Sequence, residues 1–305
     1  MRKMFWCSNA RGYVLVIVMG LLAILGAMAL SLGAATRADL EQTRHFQDEV
    51  VAELLAKAGI EWTIHYLNTA ARQNGLLQAP WLSQDAHVWE RTLGPGVFHL
   101  QHRAAQGSLQ PGLQDEEALV NLNTAPAAVL AGLPGVGKEL AEALVHQRQQ
   151  GPWSALEDVW QRGLIPGALW HGNAEQPGLR AYVTVWGSGK ININTAVPAV
   201  LGALPGLTPS LVQALVQYRA GDDQQRGTRD DRWFRTVADL AQVPGIDRSV
   251  LSRLEPVVTV TSSAFRVIVT GRARHDIRQA HAHRRLAVLE RTAQATTLRH
   301  WRQVD

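Results

Sequence analysis

One cysteine, Cys7, is all the thiol chemistry in this 305-residue chain, so no intrachain disulfide is possible and stability has to come from packing. Charge is sparse as well. Charged residues make up 18% against 46% hydrophobic, a globular balance rather than a disordered one. No proline occurs before Pro80, and no residue from 13 to 36 is charged. The sequence also lacks a Gly-x-Ser-x-Gly elbow, a Walker-type phosphate loop and a His-Glu-x-x-His pair. An enzyme is therefore the class with least support, and no catalytic residue is assigned. The formal charge of +4 is unevenly spread: Arg2, Lys3 and Arg11 open the chain, and from Arg266 onward nine arginines face Asp276, Glu290 and Asp305. A basic start and a basic tail are weak grounds for a polyanion partner.

The charge-free stretch organises the rest. As a helix, residues 13–36 reach roughly 36 Å, enough to cross a hydrocarbon core of about 30 Å. The cations before it place the first dozen residues on the cytoplasmic side and the bulk of the chain across the membrane. A cleaved secretory signal ending near Ala34, Ala35 and Thr36 is the competing reading. The apolar run is about twice the length of such a signal's core. A short basic leader ending in Gly12, directly before an apolar helix that begins with Tyr13, resembles the type IV prepilin signal. That resemblance implies cleavage between Gly12 and Tyr13 by a prepilin peptidase, with N-methylation of Tyr13. Removal of the leader takes the formal charge to about +1 and takes Cys7 with it. The fifth mature position, usually glutamate in that family, is Ile17. An intramembrane carboxylate is costly without a partner, so its absence suits a subunit with no neighbour above it.

Residues 37–73 continue the helical pattern, with Val50, Leu54, Ala58, Trp62 and Tyr66 recurring every four residues, so one helix of some sixty residues is expected. Asn74, Gly75 and Pro80 end it. A strand is expected at 97–102, and Asp115, Glu116 and Glu117 lead into a short apolar stretch. The segment 120–125, Val-Asn-Leu-Asn-Thr-Ala, then returns as 191–196, Ile-Asn-Ile-Asn-Thr-Ala. The match continues in register through Leu133-Pro134-Gly135 with Leu204-Pro205-Gly206, Arg148 with Arg219 and, after an insertion in the second copy, Asp158 with Asp239. This is an internal duplication. Each copy reads as short helices joined by tight turns, with Thr124 and Thr195 as N-caps and a capping box at 154–157. A further strand is expected at 182–186. Beyond Pro256 the period becomes two, which predicts strands at 257–261 and 265–270, with edge strands at 287–290 and 297–301.

The expected fold class is α+β: a type IV pilin-like fold, with a long N-terminal transmembrane helix packed on an antiparallel sheet. A large helical insertion containing two helix-hairpin-helix-like repeats interrupts it. The segments are 1–12 (leader), 13–36 (transmembrane), 37–122 (first pilin-like part), 123–256 (insertion) and 257–305 (closing strands and basic tail).

Leu133, Pro134, Gly135, Val136, Gly137 and Lys138 resemble the helix-hairpin-helix turn of DNA-binding proteins, whose glycines and free amides can face a phosphate. The second copy has Thr208 and Pro209 where that turn needs glycine and an N–H, and acids balance the bases in both copies, so nucleic acid is disfavoured. A membrane-anchored DNA-uptake receptor is the alternative function. Asp222, Asp223, Asp230 and Asp231 gather in one loop and are the candidate calcium ligands, the competing reading being ion pairs with Arg226, Arg229 and Arg232. His275, His281 and His283 lie among arginines and read as a solvated stretch.

The signal around Gly12 and Tyr13, Ile17 in place of glutamate, the paired Asn-x-Asn-Thr-Ala segments, Gly187-Ser188-Gly189-Lys190 before the second, and Thr261 to Phe265 after it come in one order along the chain. In that order they resemble type II secretion system protein K, the large minor pseudopilin. The resemblance implies a cap that helps initiate a periplasmic pseudopilus, which drives folded proteins across the outer membrane. It also implies the minor pseudopilins I and J, the major pseudopilin, the prepilin peptidase and the inner-membrane secretion platform as partners. Family members can bind calcium in the insertion, for which this chain keeps only the 222–231 loop.

Overall fold

The computed structural model describes residues 10–74, 89–104, 107–173, 175–228, 230–273, 282–292 and 294–304. The chain forms two compact units, residues 1–50 and 51–305, and the division falls inside the first helix, α1 (Ala10–Asn74). In the first unit the large apolar side chains from Tyr13 to Leu32 all stand exposed, among them Tyr13 at 76% and Ile17 at 51%. A helix that is apolar all round has no polar face to give to water. By length and composition α1 is the one described helix able to cross a membrane. His275 and His281 lie outside the described residues; His283 opens a strand described below.

The second unit begins where α1 acquires a buried stripe: Ala52, Leu55, Ala56, Ile60, Thr63 and Leu67. This corrects the expected face. Val50 and Leu54 are 39% and 57% exposed, because the sheet meets the helix along the small residues beside them. Trp62 and Tyr66 stack on each other at 5.1 Å at the margin of that core.

The antiparallel sheet runs β1 (Glu90–Leu93), β2 (Gly96–Arg103), β9 (Ala264–Ala273), β10 (His283–Arg291) and β11 (Thr296–Gln303), in that spatial order. Two short strands join it: β3 (Leu109–Pro111) beside β2, and β4 (Gln114–Asp115) beside β9. The strand expected at 97–102 is β2. The segment 287–290, expected at an edge, lies in β10 between β9 and β11, so of the two expected edge strands only β11 is one. Phe98, Leu100, Phe265, Val267, Val269, Ala287 and Leu289 pack against the α1 stripe.

Three glycines set that distance. A Cβ on Gly59 would lie 2.4 Å from a Val269 methyl, one on Gly96 2.3 Å from a Leu55 methyl, and one on Gly271 2.1 Å from the Ala52 carbonyl.

Between β4 and β9 the chain builds a second, mainly helical core. A 3₁₀ turn (Glu116–Ala118) leads to β5 (Val120–Asn121), α2 (Ala127–Ala131), α3 (Gly137–Arg148), α4 (Leu156–Gln161), α5 (Gly167–His171) and β6 (Val183–Thr184). The pattern repeats as β7 (Ile191–Asn192), α6 (Pro198–Leu201), α7 (Pro209–Arg219), a 3₁₀ turn (Val237–Gln242), α8 (Arg248–Leu254) and β8 (Val258–Thr259). Within each repeat the first strand pairs in parallel with the last, β5 with β6 and β7 with β8. The stretch 257–261 therefore closes the second repeat instead of joining the main sheet. One core serves both copies, with Leu130, Leu144 and Val183 from the first meeting Leu201, Leu215 and Leu254 from the second.

Gly271→Ala must force backbone atoms of α1 off β9, and overpacking of that kind costs about 2 kcal/mol or more. We expect a lowered melting temperature in circular dichroism; an unchanged melt would contradict the close approach of helix and sheet.

Candidate functional site

Asp115, Glu116 and Glu117 stand where the sheet gives way to the helical repeats, and all three are buried, at 3%, 0% and 2% exposure. Buried carboxylates need donors on every side. Asp115 caps the 3₁₀ turn, its Oδ1 accepting from the Glu117 amide at 2.9 Å. Its Oδ2 accepts from Asn192 Nδ2 at 3.1 Å, Ser262 Oγ at 2.6 Å and the Thr195 hydroxyl. Glu116 accepts from Arg266 Nη2 at 2.8 Å and from the Thr184 hydroxyl, and Arg266 Nε lies 2.7 Å from its other oxygen. Glu117 accepts from Ser263 Oγ at 2.6 Å, the Ser188 amide at 3.2 Å and the Ala264 amide at 3.0 Å. Three successive side chains thus collect donors from the first repeat, the linker, the second repeat and β9. Burial, reinforced by the Glu117 charge, pushes the Asp115 carboxyl up to about 7, against the pull of Ser262, Thr195 and the Glu117 amide.

The repeats carry a matching set of contacts. Asn121 and Asn192 each turn the chain by accepting from the amide two residues on, Asn123 and Asn194. The amides of Asn123 and Asn194 then bridge strands: Asn123 to the Trp153 and Val185 carbonyls, Asn194 to those of Phe234 and Val260. Arg148 Nη1 donates to the carbonyls of Leu122 and Ala125, and Arg219 Nη1 to those of Ile193 and Ala196. Burial, with Arg226 nearby, lowers Arg219 to about 9. The capping expectations need correction. Thr195 serves Asp115, while Pro126 and Val197 hold the N-cap positions of α2 and α6 without a side-chain bond. At α4 the N-cap is Ala155, and Asp158, three residues on, accepts from the amides of Ser154 and Ala155; Asp239 does the same for Arg235 and the N-cap Thr236.

The hairpin turns differ between the copies: Val136 heads α3 with no side-chain cap, whereas the second copy caps α7 and α8 with side chains. Gly135 and Gly137 take φ of +76° and +68°, as the turn requires. In the second copy the Thr208 hydroxyl caps α7 and Pro209 supplies no N–H; Asp247 caps α8 by accepting from Val250. Lys138, at the head of α3, pairs with Glu142.

The four candidate calcium ligands are engaged within their loop. Asp222 pairs with Arg232, and Asp230 accepts from the amides of Asp222 and Asp223 and from Thr228 Oγ1, bonds that hold it at about 2. Asp223 accepts from Gln225 and Asp231 from Gly227. Among the described residues no three His, Cys, Asp or Glu side chains converge as a metal cage. Gly12 and Tyr13 both lie inside α1, five residues or fewer from Ile17. The carboxylate hub and the bridging asparagines escaped sequence reasoning. Their signal was three adjacent acids directly before an apolar run, and asparagines duplicated at fixed offsets.

Asp115 binds a proton in the folded state at pH values where the unfolded chain has lost it. Its contribution is full below about pH 4 and is lost as pH rises to about 7. Asp115→Asn keeps the neutral form. Urea unfolding should show the variant gaining on the wild type by on the order of 1 kcal/mol per pH unit across that window. Parallel pH profiles for the two proteins would contradict the buried protonation.

Comparisons with known proteins place these features. The family model for type II secretion system protein K matches residues 120–179, the first repeat, and that of the helix-hairpin-helix motif matches 187–259, the second. Among solved structures, the crystal structure of the GspK–GspI–GspJ complex from enterotoxigenic Escherichia coli shares the fold at a TM-score of 0.55 and 14% identity. That likeness covers 88% of this chain and 99% of the other. The endonuclease/exonuclease/phosphatase family domain-containing protein 1 of Bos taurus is 28% identical over 174 residues, and that of Homo sapiens 27% over 172. These matches take in 47% of this chain, which spans only 28% of the length of those relatives. The family-model match on the first repeat supports a relation to type II secretion system protein K, and the solved complex shares the fold.

Proposed function

We propose that the chain caps the tip of a periplasmic pseudopilus and helps initiate its assembly, with the minor pseudopilins I and J as direct partners. The major pseudopilin, the prepilin peptidase and the inner-membrane platform complete the set. The pseudopilus then helps drive folded proteins across the outer membrane. The observation that carries this reading is the protein K family match on 120–179, in a chain whose α1 holds an uncharged apolar segment at 13–36 with its large side chains exposed. In the proposed arrangement residues 1–12 are the leader, 13–36 the single inner-membrane span with a cytoplasmic N-terminus, and the remainder is periplasmic. Residues 37–122 and 257–305 form the pilin-like part and 123–256 the insertion. Ile17, with no carboxylate to offer a neighbour's terminal amine, fits a subunit at the top.

The proposal assigns no metal step. Calcium in the 222–231 loop would require Asp222 to leave Arg232, and Asp230 to release two amides. DNA uptake is not favoured: the anion-facing amides of α7 and α8 are capped within the chain, and α3, headed by Val136 without a side-chain cap, carries Lys138 paired with Glu142.

Co-expression with a prepilin peptidase, followed by mass analysis of the membrane-bound product, tests the reading. The expected product begins at N-methylated Tyr13. An intact Met1, or a terminus near Thr36, would overturn it.

A further inference from the structure

A cleft of about 400 Å³ opens within the second unit, between the main sheet and the first repeat. Its floor is apolar. Trp160 and Trp170 stack at 6.0 Å, with Tyr182 beside them and Ile268 and Leu286 from β9 and β10 opposite. Its lining is also strongly one-sided in charge, with Arg103, Arg180, Arg266 and Arg302 facing a single acid, Glu157. Two of those cations are already committed: Arg266 to Glu116, and Arg302 to Glu157. Arg103 reaches only the Gly107 carbonyl, and neither Arg103 nor Arg180 has a carboxylate partner among the described residues. His102 lines the same cleft, and its buried Nδ1 finds no hydrogen-bond partner there.

An aromatic floor under unpaired guanidinium groups suits one kind of occupant. Neither a purely apolar group nor a bare small anion satisfies both parts of the wall. The volume matches one bulky side chain with its flanking backbone, at the lower end of the range for ligand sites. Aromatic anchors in apolar pockets and carboxylates on arginine forks are recurring modes of peptide recognition. We propose that this cleft docks a peptide segment of a partner protein in which a carboxylate flanks an aromatic side chain. The aromatic ring enters between Trp160 and Leu286, and the acid meets Arg103 and Arg180. Nothing in this assignment depends on the secretion reading, since it is tested on the chain alone.

The test is a fluorescence-anisotropy titration of the full chain in detergent micelles with a rhodamine-labelled hexapeptide of alternating glutamate and phenylalanine. A glutamine–phenylalanine hexapeptide with the same label is the reference. The acidic peptide should bind at least about tenfold more tightly than the reference, and Arg103→Glu with Arg180→Glu should abolish that preference. Both arginines are exposed, so the double variant should keep the wild-type melt. Trp160→Ala should weaken both peptides, whereas Arg162→Glu, outside the cleft, should change neither. Equal binding of the two peptides, or a preference that survives the double reversal, would overturn the proposal. So would saturation by phenylacetate with no binding of the acidic peptide, which would make the cleft a small-molecule site.

Discussion

Taking a carboxylate out of water costs several kcal/mol unless donors replace the lost hydration, and this chain does so three times in a row. Asp115, Glu116 and Glu117 can be buried only because their donors arrive together. Those donors come from far along the chain, with Thr184 68 residues from Glu116 and Arg266 150 residues from it. Removing the helical repeats would leave the acids beside β9 without Thr184, Ser188, Asn192 and Thr195. The sheet and the repeats are therefore not two beads on a string. Each completes the polar accounting of the other, and the interface between them is specified by hydrogen bonds as much as by apolar contact.

The duplication explains how a mainly helical module fits this scheme. Both copies use the same internal frame, an asparagine bridge and an arginine tying two carbonyls, so each holds its own turns. They diverge at the first asparagine. Asn121 spends its amide on the Trp186 carbonyl within the first copy, whereas Asn192 delivers its own to Asp115 and Ser262. The first copy reaches the hub through Thr184 on Glu116, whereas the second reaches it through Asn192 and Thr195 on Asp115. The tight packing of α1 and the sheet at Gly59, Gly96 and Gly271 adds a steric constraint on the opposite face of β9.

Much of the architecture was legible from residue pattern. The charge-free run and the absence of proline define α1, and the in-register repeat defines the module and its hairpins. What misled was assigning short-range roles to residues with long-range ones. Thr195 sits where a cap is expected, yet its hydroxyl is drawn to a buried acid 80 residues earlier. Val50 and Leu54 carry the apolar period, but the sheet selects the small residues Ala52, Ala56 and Gly59, whose size allows contact. Valine-rich 257–261 has strand composition and does form a strand, but its partner is β7, because parallel closure of the second repeat comes before the chain reaches the sheet. Run by itself, a triplet of acids reads as solvated surface. Only the fold reveals that it is interior.

The account stands on the carboxylate hub, and hydrogen exchange of the full chain tests it most directly. The comparison is between wild type and a variant with Asp115→Asn, Glu116→Gln and Glu117→Gln, resolved by segment. The account predicts that protection falls together in 120–125, 183–188, 191–196 and the start of β9, while β10 and β11 keep theirs. Loss of protection confined to residues 115–118 would show that the repeats and the sheet hold together without the hub, and would contradict it.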